Sequence, residues 1–109
     1  MKTITELNAW IAVNVFCWRK FREEEYPHRD LWDEGEDGSR VWDEPNNYTQ
    51  PAGAYELEAK ILERSKCLSF KVRKNCIFVE TELEEKVYRS YAATRAEAVM
   101  LLARKIEWK

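Results

Sequence analysis

Glycine, proline and histidine are scarce in this chain, and their scarcity excludes several kinds of catalytic site. The 109 residues include three glycines, three prolines and one histidine. The glycines, Gly35, Gly38 and Gly53, do not form a glycine-rich phosphate loop. The histidine, His28, follows Pro27 in a charged segment and offers no Ser–His–Asp triad. We therefore expect a protein that binds rather than an enzyme.

Metal-ligand spacing is also missing. The chain has an odd number of cysteines, Cys17, Cys67 and Cys76, and no two of them have the separation of a zinc motif. Acidic pairs such as Asp33-Glu34 and Asp43-Glu44 do not follow the calcium-loop pattern and are typical of solvated loops. We expect free thiols in a reducing compartment, no metal and no cofactor.

The chain lacks an excess of positive charge and any long apolar run. Its formal net charge is −2 and its pI is about 5.6, which disfavours binding to duplex nucleic acid. No apolar run has the length of a membrane span, and no signal segment precedes the first amphipathic pattern. These features predict a single domain over residues 1–109 that stays in the cytoplasm and has no membrane partner.

Helix caps and apolar spacing predict three helices. The first covers about residues 4–17 and begins with the capping box of Thr3 and Glu6. Its apolar stripe consists of Ile4, Leu7, Ile11, Val15 and Trp18. The second begins after Thr49, which can cap it, and ends near residue 65. The third begins with a second capping box, formed by Thr94 and Glu97.

Residues 19–30 are charged and predict an irregular segment. The similar tetrapeptides 31–34 and 41–44 flank a glycine-containing turn, so we expect a short two-stranded hairpin or a paired loop, with Trp32 and Trp42 on neighbouring strands. Alternation over residues 68–73, 77–82 and 87–91 predicts a three-strand meander with a turn at residues 74–75 and an acidic loop at 82–86. We expect Leu68, Phe70 and Val72 on its buried face. The fold class is therefore α+β, an antiparallel meander with a Trp-containing hairpin packed by three helices.

An aromatic cluster in the loop-rich region is the first candidate site. Bases stack on Trp and Tyr rings, and arginine suits phosphate. The candidate ligand-binding residues are Trp32, Arg40, Trp42, Asn46, Tyr48, Thr49 and Arg73. The alternative is that the tryptophans pin a long loop onto the core. A second candidate is the solvent face of the meander, with Lys71, Arg73 and Arg89, which suits a phosphate or an acidic partner. The alternative is that these residues only form a solvated face.

Three stretches in the same order resemble the phage ABA sandwich domain family. The matching residues are Leu7, Ile11, Ala12, Val15 and Trp18 in the first stretch, Trp42, Pro45, Tyr48 and Thr49 in the second, and Thr94, Ala98 and Val99 in the third. Cys17 stands where the family usually has glycine. Gln50-Pro51 stands where a Thr-Asp pair is typical, so no binding detail is carried over to the start of the second helix.

The resemblance implies a phage protein with helices layered about a sheet and without enzyme activity. Small phage proteins of this size often counter host defence. The leading hypothesis is a homo-oligomer that sequesters a nucleotide-type immune signal in the host cytoplasm. The alternatives are an inhibitor that masks a host defence protein and a housekeeping phage protein.

Overall fold

Three helices and two antiparallel three-stranded sheets make up the computed structural model, which describes residues 3–23, 26–34, 41–42 and 44–108. The elements in chain order are α1 (Ile4–Asn14), β1 (Arg19–Glu23), β2 (Tyr26–Asp33), β3 (Val41–Trp42), α2 (Pro51–Leu62), β4 (Leu68–Arg73), β5 (Cys76–Leu83), β6 (Lys86–Ala92) and α3 (Arg95–Lys105). This arrangement confirms the α+β class. The chain divides into two compact units, Met1–Asn46 and Asn47–Lys109. A single domain over the whole chain stays a prediction.

Helix α1 begins as its cap predicts, and it ends earlier than its apolar stripe predicts. The Thr3 side chain accepts a hydrogen bond from the Glu6 amide at 3.1 Å. The helix stops at Asn14, and Cys17 has a left-handed backbone with φ of 59°. The amide of Trp18 then donates to the carbonyl of Ala12 at 2.8 Å. The predicted end at residue 17 is therefore wrong, because the left-handed residue turns the chain away from the helix axis.

The first sheet corrects the prediction of an irregular segment at residues 19–30. Strands β1 and β2 pair antiparallel there, with Phe21 opposite Leu31. Ion pairs join the two strands, since Arg19 contacts Asp33 at 2.9 Å and Arg22 contacts Asp30 at 2.8 Å. Charged side chains, which give no apolar alternation, therefore face each other across this pair of strands and add ion pairs to its backbone ladder.

The tryptophan hairpin is confirmed in the described part of the chain. Strand β3 pairs antiparallel with β2, and Trp32 lies opposite Trp42. The predicted turn at residues 35–40 lies outside the described residues.

Helix α2 begins at Pro51, and its cap differs from the predicted one. The N-cap residue is Gln50, which makes no side-chain cap hydrogen bond. Thr49 does not cap the helix, because its hydroxyl donates to the Asn47 side-chain oxygen at 2.6 Å in the turn before it. The incoming chain lies close to the helix at Gly53, where an added Cβ would lie 2.4 Å from the Asn47 carbonyl oxygen. Only glycine allows this approach.

The second sheet is the predicted meander, with β5 between β4 and β6. The turn at residues 74–75 is confirmed. The acidic segment is shorter than the predicted loop, because Glu84 and Glu85 alone form the turn, both with positive φ. Val72 was expected on the buried face but is 75% exposed. It lies on an edge strand, whereas α3 packs on β5 and β6.

One face of the second sheet is covered by α3, which also contacts α2. The Thr94 hydroxyl caps α3 by accepting from the Glu97 amide at 3.2 Å, as predicted. The buried side chains of this unit include Leu57, Ile61, Val79, Thr81, Leu83, Ala98, Val99, Met100, Leu102 and Ile106. Among the described residues, no helix is long and apolar enough to cross a membrane.

Candidate functional site

The aromatic residues of the predicted loop site differ in accessibility. Trp32 is 6% exposed, and the Lys20 ammonium lies 5.8 Å from its ring centroid. Trp42 is 52% exposed, and its indole N–H donates to the Glu34 carboxylate at 2.9 Å. The burial of Trp32 fits the alternative in which the tryptophan supports the fold. Arg40 lies outside the described residues.

The loop before α2 holds three further predicted residues. Tyr48 is 1% exposed, so its ring presents no face to a stacking ligand. Thr49 is half-buried and bonded to Asn47 through both its amide and its hydroxyl. Asn46 is half-buried and has a bonding partner of its own. These residues order the turn into α2.

Arg73, the last predicted residue, lies on β4 of the second sheet, at the face opposite α3. Alternation along the strands defines this face, because residues in phase with the buried Val79, Thr81 and Leu83 point to α3. The other phase forms what we call the open face. It consists of Ser69, Lys71 and Arg73 on β4, Phe78, Glu80 and Glu82 on β5, and Val87, Arg89 and Tyr91 on β6.

Two aromatic rings lie at the centre and edge of the open face. Phe78 is 39% exposed and Tyr91 is 63% exposed. They face each other across β5 and β6, with ring centroids 5.4 Å apart and planes tilted by 34°. Lys71 is the cross-strand neighbour of Phe78 on the other side. One row across the sheet therefore consists of the Lys71 cation followed by the rings of Phe78 and Tyr91.

The cations of the open face fall into two groups. Arg89 pairs with its neighbour Glu80 at 2.7 Å, which offsets its charge. Lys71 and Arg73 are exposed, and neither is paired with an acidic side chain in the part of the chain that the structure describes. A hollow of about 410 Å³ separates these groups and is lined by Lys71, Arg73, Phe78 and Arg89, among others. This hollow offers unneutralised positive charge beside an exposed ring.

Acidic groups occupy the other end of the open face. Glu80 and Glu82 follow Phe78 along β5, and the turn of Glu84 and Glu85 continues beyond them. The described residues contain no group of three His, Cys, Asp or Glu side chains placed to hold a metal ion. The face is thus polarised, with rings and free cations at one end and carboxylates at the other.

The sequence pattern had located part of this face. Lys71, Arg73 and Arg89 were predicted on the solvent face of the meander, and all three are exposed there. Phe78 and Tyr91 were not singled out as site residues. The sequence pattern that could have found them is the alternation of side chains along their strands. Both residues alternate with buried positions and therefore lie on the same face as Lys71.

Comparisons of the chain with protein-family models, with curated proteins and with solved structures give no match. The resemblance to the phage ABA sandwich family therefore depends on the motif residues quoted above and stays a prediction.

Proposed function

We propose that the protein is a non-enzymatic binding protein that holds a nucleotide-type ligand on the open face of its second sheet. The observation that carries the proposal is the exposed ring pair of Phe78 and Tyr91 in one row with Lys71. A nucleotide has a flat base and an anionic phosphate, and this row has a complement for each.

The ring pair supports the base-binding half of the proposal. Aromatic rings this exposed leave apolar surface in water, whereas a stacked base covers it. Stacking of one base on an aromatic side chain contributes about 1–3 kcal/mol and is tolerant of base identity. Tyr91 is the more accessible ring, so it is the proposed stacking platform, with Phe78 fixing its position.

Lys71 and Arg73 support the phosphate-binding half. Both are exposed cations without an acidic partner among the described residues. An arginine can grip a phosphate through two parallel N–H donors, and a lysine adds a point charge. Arg89 contributes less because Glu80 already neutralises it.

The resemblance to phage ABA sandwich proteins gives this binding a biological setting. A phage protein in the host cytoplasm that retains a nucleotide-type immune signal would lower its free concentration without any chemical step. Assembly into a homo-oligomer would multiply the number of sites. A housekeeping role for the same binding is the less specific version of this proposal.

Masking of a host defence protein is the second candidate, and Trp42 is the observation that favours it. An exposed tryptophan whose ring orientation is held by a hydrogen bond to Glu34 is a typical interface anchor. This surface lies in the first unit, on the Trp hairpin.

NMR titration tests the proposed function. Adenosine 5′-monophosphate is added to labelled protein, because shift changes detect affinities as weak as about 1 mM, or about −4 kcal/mol. We expect shifts centred on residues 71–78 and 89–91. Tyr91→Ala should weaken binding about tenfold, within the range for one lost stack.

Tyr55→Ala is the matched control, because Tyr55 is exposed on α2 and away from the open face. Lys71→Ala should weaken binding of the nucleotide more than binding of adenosine, which has no phosphate. The proposal is wrong if Tyr91→Ala and Tyr55→Ala bind equally, or if the shifts map to the Trp hairpin.

A further inference from the structure

The geometry points to a ligand class within the proposed function: we infer that the site takes a single-stranded oligonucleotide of two or more linked nucleotides. The nucleotide strand crosses the open face from Lys71 of β4, over Phe78 and Tyr91, and passes round the edge of β6 to Arg104 of α3. The inference depends on the proposed function and adds the direction and minimum length of the ligand.

A second hollow continues the row beyond Tyr91. It has a volume of about 610 Å³ and is lined by Ser90, Tyr91, Leu101, Arg104 and Lys105. Tyr91 thus borders this hollow on one side and contacts Phe78 of the first hollow on the other. The two hollows share no lining residue in the described part of the chain, and the contact between Phe78 of the first and Tyr91 of the second connects the open face with the edge of β6.

The second hollow carries its own cations. Arg104 is exposed and, among the described residues, has no acidic partner. Lys105 donates from Nζ to the Arg89 carbonyl oxygen at 2.6 Å, which holds the ammonium at the edge of β6 without neutralising it. Positive charge therefore flanks the ring pair on both sides, which suits a ligand with more than one phosphate.

The acidic end of the open face sets the direction of the ligand. A strand of nucleic acid that ran along β5 from Phe78 would pass Glu80, which is paired with Arg89, and would then meet the exposed Glu82. A phosphate next to Glu82 would be repelled. A path across the strands and round the edge of β6 meets Lys71 at one end and Arg104 at the other, and so avoids that repulsion.

The width of the row favours more than one nucleotide. Strands in a sheet lie about 4.8 Å apart, so the Cα atoms of Lys71 and Tyr91 are separated by about 10 Å across β5. Two neighbouring rings can each take a base only when the bases are unpaired. A net charge of −2 also fits a short ligand better than a duplex.

Fluorescence competition against a labelled tetrathymidylate tests the inference. The competitors are thymidine monophosphate, the dinucleotide pTpT, unlabelled tetrathymidylate and a duplex of the same length. We expect affinity to rise from the mononucleotide to the dinucleotide, and the duplex to compete poorly.

Arg104→Ala should lower the affinity for pTpT about tenfold, the loss expected for one charge-assisted contact, and leave the affinity for thymidine monophosphate unchanged. It should also reduce the salt dependence of tetrathymidylate binding by about 0.7 in the log–log slope, the value for one phosphate contact on a single strand. Lys66→Ala is the matched control, since it removes an equally exposed cation from the turn after α2.

The outcomes separate the inference from the proposed function. If thymidine monophosphate binds through Tyr91 but neither length nor Arg104 matters, the inference is wrong and the proposed function stands. If no nucleotide competes and a polyglutamate peptide binds instead, both are wrong and the face serves an acidic protein partner.

Discussion

Cys17 offers a direct test of the backbone conformation that ends α1. Its φ of 59° lies in the left-handed region, where a residue with a Cβ costs about 1–2 kcal/mol relative to the right-handed region. Glycine avoids this cost, although its greater freedom in the unfolded chain returns about 0.4–1 kcal/mol. The Cys17 side chain is exposed, so its removal sacrifices little packing. We expect Cys17→Gly to raise the free energy of unfolding by about 0.5–1 kcal/mol.

Thermal and urea unfolding under reducing conditions measure this change. A gain of about 1 kcal/mol corresponds to about 4–6 °C in a protein of this size. Cys17→Ala is the control, because alanine removes the thiol and keeps the Cβ. If Cys17→Gly is no more stable than Cys17→Ala, the backbone at this position is not strained and our account of the end of α1 is incorrect. A glycine preference here would also agree with the residue typical of the phage family.

Three further predictions concern the turn, an ion pair and a carboxylate. Glu85→Gly should stabilise the protein by about 0.5–1 kcal/mol in urea unfolding, and Glu85→Ala should not, because the turn residue has φ of 70°. Arg95→Lys should destabilise the protein by about 0.5–1 kcal/mol, since lysine cannot keep both hydrogen bonds to Glu58, at 2.8 and 3.0 Å; equal stability would refute this role. The Arg22 guanidinium holds the pKa of Asp30 below its ordinary value of 3.8. The ionised Asp30 carboxylate therefore contributes fully to stability above pH 3.8, and this contribution is lost as the pH falls through the lower pKa of the folded state. Asp30→Asn should therefore flatten the loss of stability below pH 3.8 in acid unfolding, and an unchanged profile would assign that loss to other carboxylates.

Local signals predicted the elements whose causes are local. Both threonine caps accept the hydrogen bonds that their capping boxes predict, because capping involves residues three positions apart. The tryptophan hairpin and the turn at residues 74–75 were likewise visible in short patterns. The first pair of strands was missed because it is joined by ion pairs between Arg19 and Asp33 and by others like it, and a charged segment carries no apolar alternation.

The site was harder to predict, because it depends on which face of the sheet a helix covers. Alternation placed Lys71 and Arg73 on a solvent face, yet it cannot distinguish a ring at the core from a ring in water. Trp32 and Tyr48 are buried, whereas Tyr91 is exposed, and all three are equally aromatic in the sequence. Tyr91 is exposed because it lies on the face of the second sheet that α3 does not cover.

The same packing supports the proposal that the open face binds a ligand. The second sheet buries Val79, Thr81 and Leu83 on its covered side, so its hydrophobic core is complete without the rings of the other side. An edge-strand position such as that of Tyr91 needs no aromatic residue for pairing, and a charged side chain there would protect the edge better. Polar substitutions of Tyr91 should therefore leave the free energy of unfolding within about 0.5 kcal/mol of the original value, as expected for surface positions. A ring that stability does not require, set between unpaired cations, supports the proposed ligand that stacks on it.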